Sequence, residues 1–127
     1  MKYIIPAVVI LLCLAGRSYA QLIKGSLFSP IAPGPEEFLE VLACGKAEAF
    51  RIERIVSHGH ISEPDFWYDQ DELEFVAVLQ GSAELETESE KISMSPGDWV
   101  IIPEHVQHRV NFTSTEPPCA WLAVFRR

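Results

Sequence analysis

The feature of this sequence that most restricts its fold is a succession of short apolar or alternating segments separated by turn residues. From residue 49 onward such segments recur at intervals of roughly ten residues. In order they are AFRIERIVSH, LEFVAVLQ, AELETESE, KISM, WVIIP, VQHRVNF and AWLAVF. Alternation with a period of two is typical of a β-strand that buries one face. Seven short strands joined by turns that contain Gly, Pro and Ser predict an all-β sandwich or barrel.

One segment ahead of these strands has a different pattern. PEEFLEVLAC, residues 35–44, begins with a proline and two glutamates, which suit the first turn of a helix. Its apolar residues would share one helical face: Phe38, Val41 and Leu42. With Gly45 as its end, this segment predicts a short N-terminal helix before the barrel.

The first twenty residues, MKYIIPAVVILLCLAGRSYA, combine a basic start, an apolar run and small residues at positions 18 and 20. This arrangement is typical of a secretory signal peptide that is cleaved after Ala20. The alternative is an upstream extension, with translation starting near Ile23. We therefore expect residues 1–20 to be a signal peptide or such an extension, and residues 21–127 to form one domain. A true signal implies export to the periplasm or the medium, and the alternative implies a cytoplasmic location.

The chain is acidic, with 18 acidic and 10 basic side chains and a net charge of −8. Cleavage would remove Lys2 and Arg17 and leave a net charge of −10, so we expect no nucleic-acid partner. No membrane association is expected once the signal is removed, because the remaining chain has no long apolar run. Two cysteines would remain, Cys44 and Cys119, and their spacing does not show whether they pair.

Two motifs resemble those of the cupin superfamily. GDWVIIPEHVQH places Gly97, Pro103 and His108 in the spacing of the second cupin motif. Glu74 and Gly81, with six residues between them, match the second half of the first motif. In addition, FWYDQDELEFVAVLQGSAELE is similar to a group of small single-domain bacterial cupins that carry WYDQ and have no settled function. The resemblance extends from residue 22 to residue 125.

This resemblance implies a single cupin-type barrel, which is a double-stranded β-helix or jelly roll. It also implies a homodimer, since cupins often pair through barrel faces or exchanged N-terminal strands. It does not assign a function, because the same barrel hosts isomerases, oxygenases, binding modules and storage proteins.

Strand alternation indicates which motif residues point into the barrel. Two sets of residues share a face: Glu74, Val76 and Val78, and then Val106, His108, Val110 and Phe112. Because the companions are apolar, we expect Glu74 and His108 to point inward. A carboxyl group and an imidazole in an apolar interior must be paired with each other or bound to something else.

The chain departs from metal-binding cupins ahead of Glu74. Those proteins carry His-x-His three or four residues before the glutamate, whereas this chain has Tyr68 and Gln70, or Trp67 and Asp69, at those positions. One interpretation is that a divalent metal is held by oxygen ligands and one imidazole: Gln70, Glu74 and His108, with Tyr68 as a candidate fourth ligand. Such a set favours Mn, Fe or Zn over copper.

Two other interpretations stay open. In one, His58 or His60 folds back from upstream to complete the site with Glu74 and His108. In the other, no metal binds, Glu74 and His108 form a hydrogen-bonded pair, and the cavity holds an organic ligand or nothing.

Trp67 and Tyr68 are candidate ligand-binding residues, because an aromatic wall with a polar tip suits a small ligand. They equally suit a cap over the core or a dimer contact. Surface positions are expected for three histidines: His58, His60 and His105. Core positions are expected for the other two tryptophans: Trp99 and Trp121.

These observations predict a small-molecule-binding cupin with a candidate divalent-metal site in the barrel. The first alternative is a metal-dependent isomerase or dioxygenase that acts on a small organic substrate. The second is a metal-free structural or interaction module. If there is catalysis, we expect metal-assisted or acid–base chemistry by Glu74 and His108, with Tyr68 as a further candidate.

Overall fold

Ten β-strands and no helix make up the described part of the protein, which in this computed structural model comprises residues 2–4, 22–45 and 49–127. In chain order the strands are β1 Tyr3–Ile4, β2 Phe38–Gly45, β3 Phe50–Ser57, β4 Ile61–Ser62, β5 Leu73–Gln80, β6 Ala83–Thr87, β7 Lys91–Met94, β8 Trp99–Ile102, β9 His108–Thr113 and β10 Cys119–Arg126. No helix in these ranges is long and apolar enough to cross a membrane. Except for residues 2–4, the segment predicted as a signal peptide or extension lies outside the described residues.

Two antiparallel sheets enclose one core. The larger sheet has the order β2-β3-β10-β5-β8, the smaller has the order β7-β6-β9, and β1 and β4 form a short parallel pair. Both sheets contribute buried apolar side chains, among them Val76, Val78, Leu85, Met94, Val110, Trp121 and Phe125. Burial of such a side chain stabilises the fold by roughly 1.5–3 kcal/mol. The prediction of an all-β cupin-type jelly roll is confirmed.

The prediction of a helix over 35–44 is wrong, because most of this segment is strand β2. It pairs antiparallel with β3, from Phe38 opposite Val56 to Gly45 opposite Phe50. A register irregularity between Val41 and Ala43 marks a β-bulge in this edge strand. The hydrogen bonds to β3 satisfy the backbone of the segment, so tertiary pairing overrides its local helical pattern.

Residues 26–29, which precede β2, are attached to the barrel by one buried arginine. Arg54 donates from Nη1 to the carbonyl oxygen of Ser29 at 3.0 Å, and its Nη2 lies 3.0 Å from Glu40 Oε2. The same Nη1 reaches the carbonyl oxygens of Ser26 and Leu27 at 3.5 and 3.4 Å. Arg54 thereby fixes the path of the chain into β2.

Strand β3 presents its charged face to the interior. Alternation divides it into two sets of residues, and the set with Arg51, Glu53 and Ile55 lines the space between the sheets. The strand itself was predicted, but the pattern did not indicate which face is buried.

Strand β9 follows the predicted alternation only in its first half. His108 and Val110 are buried as predicted, but Phe112 is 51% exposed. Val110 and Phe112 pair with consecutive residues of β6, so Asn111 is the extra residue of a bulge. The bulge shifts the alternation by one residue, and Thr113 is buried in place of Phe112. The prediction that Phe112 lies on the inward face with His108 is therefore wrong.

Two other predicted core positions are exposed. Val106 precedes β9 in a turn and is exposed. Trp99 lies on the outer face of the edge strand β8, where its ring stacks on Phe75 at a centroid distance of 5.7 Å. Because Ile102 points inward from β8, alternation turns Trp99 outward. Trp121, by contrast, is only 4% exposed, as predicted.

Gly81 directly follows β5, at a point where the backbone of Pro118 and Cys119 comes very close to its Cα atom. Its φ is 75°, and a Cβ atom there would lie 2.8 Å from the Pro118 carbonyl oxygen and 2.9 Å from the Cys119 Cα. Cys119 begins β10 as a buried free thiol, so it is not bonded to Cys44. The motif glycine is thus required by both backbone conformation and space.

We expect Gly81→Ala to lower the free energy of unfolding by more than about 2 kcal/mol, because it adds a clash with backbone atoms to the cost of a positive φ. Gly97→Ala is the matched control, since Gly97 has a φ of 94° but no heavy atom within 4 Å of an added Cβ. Urea denaturation of both variants measures the difference. Equal destabilisation by the two substitutions would show that the close approach at Gly81 is unimportant.

Candidate functional site

A cavity of about 290 Å³ lies between the two sheets. This volume is close to the lower limit of ligand pockets, about 300 Å³, and suits a small molecule. The walls are largely apolar, and the polar side chains that line the cavity are Glu37, Arg51, Glu53, Tyr68, Gln70, Glu74 and His108.

The structure brings together Gln70, Glu74 and His108. Glu74 and His108 are buried, on β5 and β9. The Gln70 side-chain Nε2 donates a hydrogen bond to Glu74 Oε2 at 3.0 Å. His108 Nε2 lies 3.7 Å from the same oxygen, which is too long for a hydrogen bond. Glu74 and His108 therefore face each other without direct pairing.

The orientation of the His108 ring is set by the turn before β9. His108 Nδ1 lies 2.9 Å from the Val106 carbonyl oxygen. Because a carbonyl only accepts, Nδ1 carries the proton and Nε2 presents a lone pair to the cavity. Burial lowers the pKa of His108, and the bond to Val106 only partly opposes this effect. The ring is thus neutral at neutral pH and acts as an acceptor.

Glu74 is poised to gain or lose a proton near neutral pH. Burial raises its pKa from 4.5 to about 7, against the hydrogen bond from Gln70, which lowers it. Among nearby charges, Glu53 raises this pKa, Arg51 lowers it and Glu72 raises it. A carboxyl group with a pKa near the working pH suits acid–base chemistry.

Tyr68 covers the imidazole of His108. The two backbones exchange hydrogen bonds of 2.8 and 3.1 Å, and the two rings stack with centroids 5.4 Å apart. Burial raises the pKa of Tyr68, and the negative charges of Glu37 and Glu74 raise it further. The phenol therefore stays protonated and lies near both carboxyl groups.

Trp67, the other aromatic residue proposed to bind ligand, does not line the cavity. The guanidinium of Arg109 lies 5.6 Å from the centre of its ring. Since neighbouring residues in extended backbone point to opposite sides, the inward position of Tyr68 places Trp67 on the outside.

The upstream histidines do not reach Glu74, and they are not on the surface as expected. His60 is fully buried, and its Nδ1 accepts a hydrogen bond from the His58 backbone N–H at 2.9 Å. Burial lowers the pKa of both imidazoles. The expectation of surface positions is wrong because the turn between β3 and β4 packs against the body of the barrel. His105 is exposed as predicted, with its Nδ1 2.8 Å from Asp69 Oδ1.

Sequence reasoning missed a charged cluster at the same end of the cavity as Glu74. Arg51 Nε lies 2.6 Å from Glu53 Oε1, and its Nη1 lies 3.1 Å from Glu72 Oε2. Its guanidinium also covers the ring of Phe125 at 4.1 Å. Burial raises the pKa of Glu53, and the hydrogen bond from Arg51 lowers it. The alternation of β3 could have indicated this cluster, since Arg51 and Glu53 share a face with Ile55.

Glu37 was missed as well, because it precedes β2 in the segment expected to be helical. The Ser57 hydroxyl donates a hydrogen bond to Glu37 Oε1, and the Trp121 indole Nε1 donates to Ser57 Oγ at 3.0 Å. Burial raises the pKa of Glu37 to about 7. No local sequence signal marks Glu37, since its place in the cavity depends on the pairing of β2 with β3.

Among the described residues, few metal ligands gather around Glu74. No group of three or more His, Cys, Asp or Glu side chains able to hold an ion occurs in residues 2–4, 22–45 and 49–127. Glu74 and His108 offer two ligands, whereas Gln70 turns its N–H donor toward the Glu74 carboxyl. Tightly held zinc has three or four protein ligands. The metal site at Gln70, Glu74 and His108, with Tyr68, thus stays a prediction for elemental analysis.

Comparisons with known proteins agree with this architecture. The model of the cupin domain matches residues 49–125. A solved structure from Ralstonia eutropha, with the provisional name mannose-6-phosphate isomerase, is 39% identical with a TM-score of 0.77, covering 83% of this chain and 98% of that one. A cupin superfamily protein from Desulfitobacterium hafniense is 16% identical with a TM-score of 0.62, covering 76% and 83%. The cupin domain of an XRE family transcriptional regulator from Enterobacter cloacae is 17% identical with a TM-score of 0.58, covering 72% and 96%. No curated protein matches the sequence.

We expect Glu74→Gln to stabilise the protein at alkaline pH. Because the folded state raises the pKa of Glu74 from 4.5 to about 7, the protein loses stability as the pH rises between these two values and keeps that loss at higher pH. At about pH 8, Glu74→Gln should exceed the parent in unfolding free energy by up to about 3 kcal/mol. This difference should decrease as the pH falls below the folded-state pKa and vanish near the unfolded-state pKa. Denaturation across this pH range measures it, with the exposed Glu88→Gln as control. A gain that is independent of pH would contradict the burial of an ionisable Glu74.

Proposed function

Because the chain belongs to the cupin family, we propose that its cavity binds a small polar organic molecule, held by Glu74 and His108 and covered by Tyr68. One observation carries the proposal: a buried carboxyl group and a buried imidazole face one cavity 3.7 Å apart, without a hydrogen bond between them. Glu74 is bonded to Gln70 and His108 to the Val106 carbonyl oxygen, and each group keeps further hydrogen-bonding capacity on its cavity side. A ligand hydroxyl that contacts both groups uses this capacity.

The protonation states of the two side chains favour a hydroxyl group as ligand. The lone pair of His108 Nε2 accepts a hydrogen bond, and protonated Glu74 donates one. A hydroxyl group can donate to the first and accept from the second at the same time. Gln70 orients the Glu74 carboxyl through its hydrogen bond of 3.0 Å.

The second candidate function is an isomerase that moves a proton between adjacent carbons. The near-neutral pKa of Glu74 supports it, as does the name of the relative from Ralstonia eutropha. In such a reaction, Glu74 takes the proton from a hydroxyl-bearing carbon and returns it to the neighbouring carbonyl carbon. The hydroxyl proton passes through His108 to the former carbonyl oxygen, so no atom is gained or lost.

The charge of the cavity argues against a phosphorylated substrate. Arg51 is the cation among its described lining residues, and it is already paired with Glu53 and Glu72. Glu37, Glu53 and Glu74 would repel a phosphate group. An unphosphorylated hydroxycarbonyl compound fits the cavity better.

We expect His108→Phe to weaken the binding of small hydroxylated compounds by at least about tenfold. The substitution removes the hydrogen-bond acceptor of the neutral imidazole and leaves an aromatic ring in its place. The probes are dihydroxyacetone, erythrose, xylose, mannose and trans-cyclohexane-1,4-diol, and calorimetry measures their dissociation constants. His105→Phe is the matched control, since the His105 side chain is exposed and does not line the cavity. If the parent binds none of the five, or if His108→Phe binds as tightly as the parent, the cavity is not such a site and a structural module becomes the better proposal.

Elemental analysis of protein purified without an affinity tag tests the metal predictions. A firmly bound ion requires more donors than Glu74 and His108, so we expect less than about 0.1 equivalent of Mn, Fe or Zn. A stoichiometric metal that disappears in His108→Ala would instead establish the predicted site and revive the metal-dependent isomerase or dioxygenase.

Homodimer formation and export stay proposals. The mass in solution tests the first. The N-terminal residue of the protein from its native host tests the second: Gln21 indicates cleavage of a signal peptide, and a start near Ile23 indicates a cytoplasmic protein with an earlier misassigned start.

A further inference from the structure

The carboxyl group of Glu37 lines the same cavity as Glu74 but is tied to a different part of strand β10. Glu37 is tied through Ser57 to Trp121, whereas Glu74 lies opposite Phe125 in the register of β5 and β10. Trp121 and Phe125 are four residues apart, which is about 13 Å along a strand. The cavity therefore has two polar ends, one at Glu37 and one at Glu74, with apolar walls between them.

The Glu37 carboxyl is held in one orientation. An indole N–H can only donate, so Trp121 donates to the Ser57 oxygen and the Ser57 hydroxyl proton is directed to Glu37 Oε1. Within the described chain, Ser57 is the single hydrogen-bond partner of Glu37, and no lysine or arginine forms an ion pair with it. The second carboxyl oxygen is therefore available to a ligand.

The surroundings of Glu37 add negative rather than positive charge. The titratable groups that interact with it are Glu53, Tyr68 and Cys119. The charge of Glu37 contributes to the raised pKa values of the Tyr68 phenol and the Cys119 thiol, after burial, so both stay neutral. Arg51 is bound to Glu53 and Glu72 and does not pair with Glu37. No cation of the described residues therefore supplies a counter-charge at this end of the cavity.

The other end of the same cavity, next to Glu74, shows how a cation is accommodated in this interior. The Arg51 guanidinium lies over the Phe125 ring at 4.1 Å and contacts the Glu53 carboxylate at 2.6 Å. A carboxylate next to an aromatic face is a favourable site for a cation in a water-poor interior. Glu37 is linked through Ser57 to the N–H edge of the Trp121 ring and lies near the Tyr68 phenol, and among the described residues no cation pairs with it.

We propose that Glu37 binds the ammonium group of a small amino alcohol whose hydroxyl end contacts Glu74 and His108. The proposal rests on the function given above, and it adds the charge of the ligand and its orientation. The ammonium group supplies the counter-charge that Glu37 lacks, and the apolar body of the ligand contacts the walls between the two ends. The cavity volume of about 290 Å³ admits a body as large as a six-membered ring.

Three probes with one skeleton and different charges test the proposal: trans-4-aminocyclohexanol, trans-cyclohexane-1,4-diol and trans-4-hydroxycyclohexanecarboxylate. Each has a hydroxyl group for the Glu74 end, and they differ only in the group that would meet Glu37. Calorimetry on the full-length protein measures their dissociation constants. We expect the amino alcohol to bind at least about tenfold more tightly than the diol, because a charge-assisted hydrogen bond is roughly twice as strong as a neutral one.

Two variants locate the preference. Glu37→Gln keeps the shape of the side chain and removes its charge, so we expect it to bind amino alcohol and diol about equally well. Glu36→Gln is the matched control: it removes the same charge from the neighbouring exposed residue and should leave the preference unchanged. Retained binding of the diol by Glu37→Gln shows that this variant is folded.

The outcomes separate the ligand class from the function on which it rests. If the diol or the hydroxy acid binds as tightly as the amino alcohol, the ammonium site is rejected while the binding cavity stands. An amino-alcohol preference that survives in Glu37→Gln also rejects the role of Glu37. If none of the three probes binds, the ammonium site is rejected, and the sugar panel described above decides separately whether the cavity binds any polar molecule.

Discussion

The position of β10 between β3 and β5 is the constraint on which the site depends. In the paired register Phe125 lies opposite Arg51 on one side and opposite Glu74 on the other. This register places a guanidinium, an aromatic ring and a carboxyl group side by side on the inner face of the larger sheet. A slip of one residue in either pairing would turn the side chain of the slipped strand, Arg51 or Glu74, to the outer face. The chemistry of the cavity therefore follows from strand register.

Burial of charged groups in the cavity has two opposite consequences. Beside Glu74, Arg51 pairs with Glu53 and Glu72, so these charges have direct partners. Among the described residues no cation pairs with Glu74 or Glu37, and burial raises the pKa of each to about 7. Ionised carboxyl groups in this environment weaken the fold, which is the expected relation between stability and a functional site. The smaller sheet and the covering Tyr68 maintain the low polarity that produces these shifts.

The candidate site was predictable from sequence where local alternation governs orientation. Glu74 and His108 are inward, and the motif glycine Gly81 lies where only glycine fits. The prediction was wrong where the pattern is interrupted or ambiguous: the bulge at Asn111 turned Phe112 outward, and the segment expected as a helix became β2. Neither the bulge nor the edge pairing has a signal in the local order of apolar residues, because both depend on the partner strand.

The sequence alone determined that the chain is all-β, with strands bounded by turns and with Glu74 and His108 on inward faces. A period of two is a property of each strand by itself, so it can be read without knowledge of the partners. Only the tertiary structure decided that β3 turns its charged face inward, that Tyr68 stacks on His108, and that Glu37 reaches the cavity. Each of these depends on which strands pair and in what register, and that choice is made by packing between segments distant in the chain.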